Sequence, residues 1–193
     1  MKRIDASDPR VFEVVAQVLR DGGVVMHPTE TCYGLAVDVF NQEALRKLYA
    51  VKKMSADKPV SVLVDGLGMA MEYGIMGDKA FELARAHWPG ALSIVVRRKA
   101  SLPRFLNPSE EFVSLRWSSM DLCSEVVRVF GGPVSTTSAN VTGEPQLYEA
   151  LDLAGVDLIV DGGRIAENKP STIVKVDGEF LEVLRQGDVE LGN

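Results

Sequence analysis

Pro28-Thr29-Glu30-Thr31-Cys32-Tyr33-Gly34-Leu35 follows the apolar run Val24-Val25-Met26 and sets three hydroxyl side chains and a carboxylate at a strand exit. Strand exits are where α/β proteins hold their ligands. A second stretch, Pro133-Val134-Ser135-Thr136-Thr137-Ser138-Ala139-Asn140, reads as a short strand that runs into small hydroxyl residues closed by Asn. Two such ends facing one cleft bind something polar. If Lys52, Lys58, Arg116 and Arg185 also turn toward it, the favoured cargo is anionic, a nucleoside triphosphate together with a carboxylate-bearing small molecule.

Working outward, Val11, Val14, Val15, Val18 and Leu19 recur at helical spacing behind Asp8-Pro9, which predicts a helix from an Asp cap to Leu19, ended by Asp21-Gly22-Gly23. Val24 to His27 and Leu35 to Phe40 read as strands. Asn41 opens a helix with Ala44, Leu45, Leu48 and Val51 inward, leaving Lys52 near its C-terminus. Further strands are expected at 60–64, 91–97 and 112–117, and at 158–161, 172–176 and 180–184 bounded by Gly or Pro, with helices at 78–86, closed by Trp88-Pro89-Gly90, and 121–130, stopped by Gly131-Gly132-Pro133. This interleaving predicts an open, twisted, mixed α/β sheet with flanking helices, one domain over residues 1–193, whose later strands include antiparallel pairs.

At 193 residues and 46% hydrophobic, the chain can bury a substantial core as one unit. The net charge of -6 argues against tight, non-specific grip on nucleic acid, which needs a basic face. Cys32 and Cys123 lie too far apart in sequence for a CxxC metal site or a disulfide framework, so two reduced thiols are expected. The charged N-terminus lacks the apolar stretch of a signal peptide, and no apolar run reaches the length of a membrane span. A cytoplasmic protein with no membrane partner is the expectation. His27 and His87 offer little for a zinc site or a Ser/His/Asp relay. His87 reads as a helix end, His27 as packing behind the Pro-Thr-Glu-Thr loop, and Arg97-Arg98-Lys99 as a solvated strand end.

Neither G-x-x-x-x-G-K-[ST] nor G-x-G-x-x-G occurs, and Gly66-Leu67-Gly68 lacks the third glycine, so ATP would have to bind by another arrangement. Taken in order, Pro28-Thr29-Glu30-Thr31-x-Tyr33-Gly34-Leu35, the Lys52 to Pro59 segment, Trp88-Pro89-Gly90, Ser138-Ala139-Asn140-x-x-Gly143, Asp161-Gly162-Gly163, Ser171-Thr172 and Leu184-Arg185-x-Gly187 resemble the YrdC/TsaC family of threonylcarbamoyl-AMP synthases. The likeness is to the short form without an additional C-terminal domain, and it covers nearly the whole chain.

The resemblance implies a YrdC-like α/β twist whose concave site condenses L-threonine, bicarbonate and ATP into threonylcarbamoyl-AMP and pyrophosphate. A downstream complex then transfers the threonylcarbamoyl group to tRNA, direct tRNA contact by this chain being a weaker expectation. Carried over by position, threonine-binding sites fall on Thr31, Arg116, Thr136 and Ser171. ATP-binding sites fall on Lys52, Lys58, Ser138, Asn140, Gln146 and Arg185, with Lys52 and Arg116 placed as catalytic. Arg116 offers a planar fork for a carboxylate, the hydroxyls both donate and accept, and the cations offset charge as pyrophosphate departs. No protein nucleophile is needed: a carbamate oxygen of the carboxylated threonine attacks the α-phosphate. Mg2+ is expected with ATP rather than on protein ligands, since no carboxylate cluster is evident and phosphate oxygens plus water complete its shell. Glu30 is the nearest acid, with capping of its loop as the competing role.

Where the family usually has Lys-x-Arg, this chain reads Lys52-Lys53-Met54. Leu63 stands where some members have histidine, Trp117-Ser118 follows Arg116 in place of the usual residue-then-proline, and Gln146 replaces a frequent serine. Two other readings compete. One is a non-catalytic RNA-binding module using the same groove; the other is a related carbamoyl or acyl-adenylate enzyme.

Overall fold

Residues 2–55 and 58–191 are described by the computed structural model, and there ten strands alternate with five helices. In chain order these are β1 (Lys2–Asp5), α1 (Val11–Arg20), β2 (Val25–His27), β3 (Gly34–Ala36), α2 (Gln42–Val51), β4 (Ser61–Leu63), α3 (Leu67–Tyr73) and α4 (Asp78–His87). They continue with β5 (Leu92–Arg97), β6 (Phe112–Arg116), α5 (Asp121–Phe130), β7 (Val134–Ser138), β8 (Leu158–Asp161), β9 (Thr172–Asp177) and β10 (Phe180–Arg185). The strands form one sheet in the order β1-β8-β2-β3-β7-β4-β6-β5-β9-β10. It is mixed: β1/β8, β2/β8, β4/β6 and β5/β9 are parallel, whereas β2/β3, β3/β7, β4/β7, β5/β6 and β9/β10 are antiparallel.

Strand side chains alternate between the two faces of a sheet, and directly paired residues share a face. One face carries Met26, Leu35, Val62, Leu115, Ile94 and Val174, and packs with Ala44, Leu45 and Leu48 of α2, Ala70 of α3 and Ala80, Leu83 and Ala84 of α4 in an apolar core. On the other face Val25, Ala36, Leu63, Val134 and Leu158 meet Val11, Val15 and Leu19 of α1 and Cys123, Val126 and Val127 of α5. This second face is only partly roofed: beyond α1 and α5 the same strands carry polar side chains, and the site lies there.

Local chemistry sets several boundaries. The Asn41 side chain accepts the Ala44 amide and starts α2, and Gly131 at φ 85° ends α5 in a left-handed turn that a Cβ would disfavour. The predicted Asp cap of α1 does not form: Asp8 accepts the Arg10 amide in a turn, and the helix begins at Val11 without a side-chain cap. The strand expected to run to Phe40 stops at Ala36, where Asp38 makes only an isolated bridge to Val134 and residues 39–40 turn into α2. Two elements were not anticipated, β1 and α3.

The Arg97-Arg98-Lys99 run is more than a solvated strand end. Arg98 donates to the carbonyls of Pro103 (2.7 Å) and Leu106 (2.6 Å) and so holds a loop, while Arg97 pairs with Asp177 at 2.7 Å across the sheet. Among the described residues no helix is long and apolar enough to cross a membrane.

Candidate active site

Thr29 shapes the loop between β2 and β3. Its Oγ1 accepts the amides of Thr31 (3.1 Å) and Cys32 (3.2 Å) and donates to the Cys32 carbonyl at 2.7 Å, so one hydroxyl closes the turn that presents Glu30 and Thr31. Tyr33 braces it from behind. Its hydroxyl donates to Gly163 O at 2.7 Å and accepts the Gly162 amide at 3.0 Å, which explains why Tyr33 and Asp161-Gly162-Gly163 belong to one unit.

The floor comes from strand register. Gly34 pairs with Ser138, Thr136 with Ser61, Arg116 with both Leu63 and Ser93, and Ser93 with Ile173. Because Ser138 and Thr136, like Ser61 and Leu63, stand two residues apart, all these side chains share the face that α1 and α5 leave open. β10 completes the row through an irregularity: pairing passes from Val183–Val174 to Arg185–Ile173, skipping one residue of β10. Without that bulge Leu184 would stand opposite Ile173; with it, Arg185 does. Gly187 then lets the chain return tightly, since a Cβ there would lie 2.1 Å from Pro170 O.

Gly34, Ser61, Ser93, Arg116, Thr136, Ser138, Ile173 and Arg185 line a cavity of about 190 Å³, together with Thr29, Thr31, Cys32, Pro59, Val60, Thr137, Gln146, Pro170 and Ser171. That is below the roughly 300–1,000 Å³ of pockets for drug-sized ligands, so the enclosed part suits a molecule of amino-acid size and leaves a larger one to its open rim. Arg116 Nη2 donates to Glu30 Oε1 (2.9 Å) and to Thr31 Oγ1 (3.0 Å), while its Nε is buried without a partner among the described residues. Burial works to raise the Glu30 pKa, but the Arg116 charge and the Ser118 hydrogen bond outweigh it and hold the carboxyl below its usual range. On the far wall Arg185 donates to Ser171 O from Nε (3.0 Å) and Nη2 (2.8 Å), and to Ser171 Oγ from Nη2 at 3.0 Å. Partial burial first, and the like charge of Arg116 second, lower the Arg185 pKa.

Of the residues expected at the site, Thr31, Arg116, Thr136, Ser171, Ser138, Gln146 and Arg185 meet at this cavity. Lys52, Lys58 and Asn140 are not among its lining residues. Lys52 ends α2 as its C-cap, and its ammonium donates to the carbonyl oxygens of Ser138 and Asn140, the latter at 2.9 Å, so it fastens the exit of β7 rather than pointing at the floor. Burial lowers its pKa to about 8. Lys58 is exposed beside positions 56 and 57 of the Lys52 to Pro59 motif, which lie outside the described residues. Met54 packs at the edge of the α2 core, so the thioether in place of the family's arginine is a packing residue here.

The other departures find places too. Ser118 is the second anchor of Glu30, Leu63 is core under α1 and α5, and Trp117 Nε1 donates to Ser124 at 3.0 Å. His27 is 4% exposed, donates from Nδ1 to Pro28 O at 3.1 Å, and leaves Nε2, beneath Gly34, without a partner among the described residues. Sequence reading missed Ser61, Ser93 and Ile173. Each sits at or near the start of a strand, and only the register shows which face it takes.

Among the described residues no three His, Cys, Asp or Glu side chains are grouped to hold a metal ion. Glu30, between the lining residues Thr29 and Thr31, is already engaged by Arg116 and Ser118.

The Sua5/YciO/YrdC family model, described as telomere recombination, matches residues 17–187. A Mycobacterium tuberculosis relative is 35% identical over 200 residues, which take in 96% of this chain and 89% of that protein. The Bacillus subtilis threonylcarbamoyl-AMP synthase is 31% identical over 194 residues, 96% of this chain but 56% of its own length. Pyrococcus abyssi Sua5, solved in complex with L-threonine, superposes with a TM-score of 0.88 over 96% of this chain and 57% of that one, at 23% identity, which speaks for the fold. The chain thus spans little more than half of the two longer proteins, and by sequence and fold together it belongs to the Sua5/YciO/YrdC family.

Proposed function

We propose that this chain is a threonylcarbamoyl-AMP synthase, joining L-threonine, bicarbonate and ATP with release of pyrophosphate. The observation that carries the reading is the single cavity floor on which Arg116, Thr136, Ser138 and Arg185 stand in register under the Thr31 loop. Relatives named for this activity, and L-threonine bound to Pyrococcus abyssi Sua5, support it.

In this reading the threonine carboxylate takes the open edge of the Arg116 guanidinium, whose Nε lacks a partner among the described residues, and Glu30 keeps the fork oriented from the other side. Thr31, Thr136 and Ser171 supply the hydroxyls that receive the ammonium and side-chain groups. Threonine held this way and carboxylated on nitrogen presents a carbamate oxygen to the α-phosphate of ATP lying across the rim. Positioning two charged reactants in line supplies much of the rate, and no covalent bond to the protein forms. Arg185 faces the departing pyrophosphate, while Lys52 acts indirectly by fixing Ser138 and Asn140, with Gln146 at the cavity edge. Lys58 would reach the phosphates only from outside the cavity. Magnesium enters as Mg-ATP, carried by the nucleotide. The product would pass to a complex that modifies tRNA, and two buried free thiols suit a cytoplasmic setting.

The test is pyrophosphate release from Mg-ATP and bicarbonate. It should depend on threonine and yield threonylcarbamoyl-AMP by mass spectrometry. No threonine-dependent release at saturating substrates would overturn the reading, and ATP-independent RNA binding in its place would favour the non-catalytic alternative.

A further inference from the structure

Within the paired strands the cavity floor is a row of polar side chains interrupted at Ile173, while Pro59, Val60 and Pro170 line the cavity from outside those strands. Ser61, Ser93, Thr136 and Ser138 bring hydroxyls and Arg116 and Arg185 bring charge, but Ile173 brings a branched alkyl surface. It does not belong to either helix-covered core. On β9 the residues alternate between buried Thr172, Val174 and Val176 and half-buried Ile173, Lys175 and Asp177, so Ile173 lies on the open face with charged neighbours further along the strand. No packing need on that face calls for a β-branched alkyl group, and a half-buried strand position beside a cavity of serines tolerates serine or threonine equally well.

Its position relative to the polar groups is specific. Ile173 pairs with Ser93 on one side and Arg185 on the other, and Ser171 precedes it by two residues on the same face. Ser93 Oγ and Ser171 Oγ are 3.3 Å apart, and Ser171 Oγ also accepts from Arg185. Paired strands lie about 4.8 Å apart and same-face neighbours about 7 Å apart. A β-hydroxy, β-methyl amino acid whose hydroxyl engaged Ser93 and Ser171 would have Ile173 within reach of its methyl, since Ile173 adjoins both serines on this face.

We infer that Ile173 sets the choice of amino acid, its alkyl surface binding the substrate's methyl and so favouring threonine over serine. This rests on the synthase reading above and adds a specificity role that the reading itself does not require. One methyl group in an apolar contact is worth roughly 10- to 200-fold in discrimination. A wholly hydroxyl-lined floor would give none, because serine fits such a floor with one polar contact more or less unchanged.

Two measurements on the folded protein separate this inference from the reading beneath it. Calorimetric binding of threonine and of serine is compared for the wild type, Ile173→Ala and Ile173→Val, with melting temperatures recorded for each; pyrophosphate release is then measured with both amino acids. The wild type should favour threonine, Ile173→Ala should cut the threonine-to-serine ratio about fivefold or more through weaker threonine binding with serine little changed, and Ile173→Val should keep the ratio within about twofold. Threonine binding without pyrophosphate release would overturn the synthase reading and leave the Ile173 comparison standing on binding alone. An unchanged ratio in folded Ile173→Ala overturns the inference whether or not the protein releases pyrophosphate. Should Ile173→Ala not fold, Ile173→Thr, which keeps the β-branch and replaces the ethyl arm by a hydroxyl, must lower the ratio in the same direction, and an unchanged ratio there overturns it equally.

Discussion

Two halves of one sheet face behave in opposite ways although the same strands build both. Under α1 and α5 the face shows Ala36, Leu63 and Val134; two to four residues along those strands it shows Gly34, Ser61, Thr136 and Ser138. The change from alkyl to hydroxyl occurs within β4 and β7, and from alkyl to glycine within β3, not between elements. Where a helix covers the strand, burial of alkyl groups stabilises the fold at about 25 cal/mol per Å² of apolar surface. Where no helix covers it, hydroxyls and guanidinium groups pair with one another around the cavity, Arg116 with Thr31 and Arg185 with Ser171. The strand therefore carries a folding half and a binding half, and the helix edge is the border between them.

The sharpest way to test that division is Arg116→Ala. Truncating one partner of a buried charge pair costs about 2–5 kcal/mol, which corresponds to a loss of roughly 30-fold to over a thousandfold in kcat/KM for threonine. Arg116→Lys should keep the charge but lose the fork, raising KM for threonine more than KM for ATP. If both constants rise together, the carboxylate assignment fails. Leu63→Ala, in the folding half next to Arg116, should do the reverse: a urea denaturation should show a loss of about 2–5 kcal/mol with KM values nearly unchanged. A threonine KM that rises as far as in Arg116→Lys would erase the border drawn here.

The smallest effect sits on the border itself. His27 packs against Cys123 of α5 (Sγ to Nδ1, 3.7 Å) and lies under Gly34 of the open half. Burial foremost drives its pKa down to about 4, against an opposing pull from the Pro28 hydrogen bond. The folded protein thus keeps His27 neutral, while the unfolded chain takes up a proton near pH 6.5. Its contribution to stability is fully present above about pH 6.5 and declines as the pH falls toward 4, by at most about 1.4 kcal/mol per pH unit. Urea midpoints measured from pH 7 to 4.5 should fall more steeply for the wild type than for His27→Gln. Parallel curves would show that His27 is not held neutral.

Much of this architecture was legible in the sequence. Asp121–Phe130 and Leu158–Asp161 form where the periodicity and the glycine stops placed them, because those segments carry their own pattern and boundaries. β1 was not legible: four residues, mostly exposed, become a strand only through parallel pairing with β8. α3 was hidden for a different reason, since it opens on Gly66 without a side-chain cap, contains Gly68 and buries Ala70 alone. At the site, the Thr31 loop and the arginines could be read from motifs. Ser61, Ser93 and Ile173 could not, because a residue's face depends on pairing with strands distant in sequence. The partners of the Lys52 ammonium were hidden for a similar reason: the carbonyls that accept from it lie 86 and 88 positions away.

The skipped residue in β10 also bears on how the chain tolerates changes of length. A floor written in strand parity is indifferent to insertions in the turns, such as the one at Gly178 between β9 and β10, because the paired rows on either side keep their phase. Deleting a single residue inside β5 would instead rotate Ser93 beneath the helices of the opposite face and lift Ile94 into the cavity, so one codon lost from a strand does more harm than several gained in a loop.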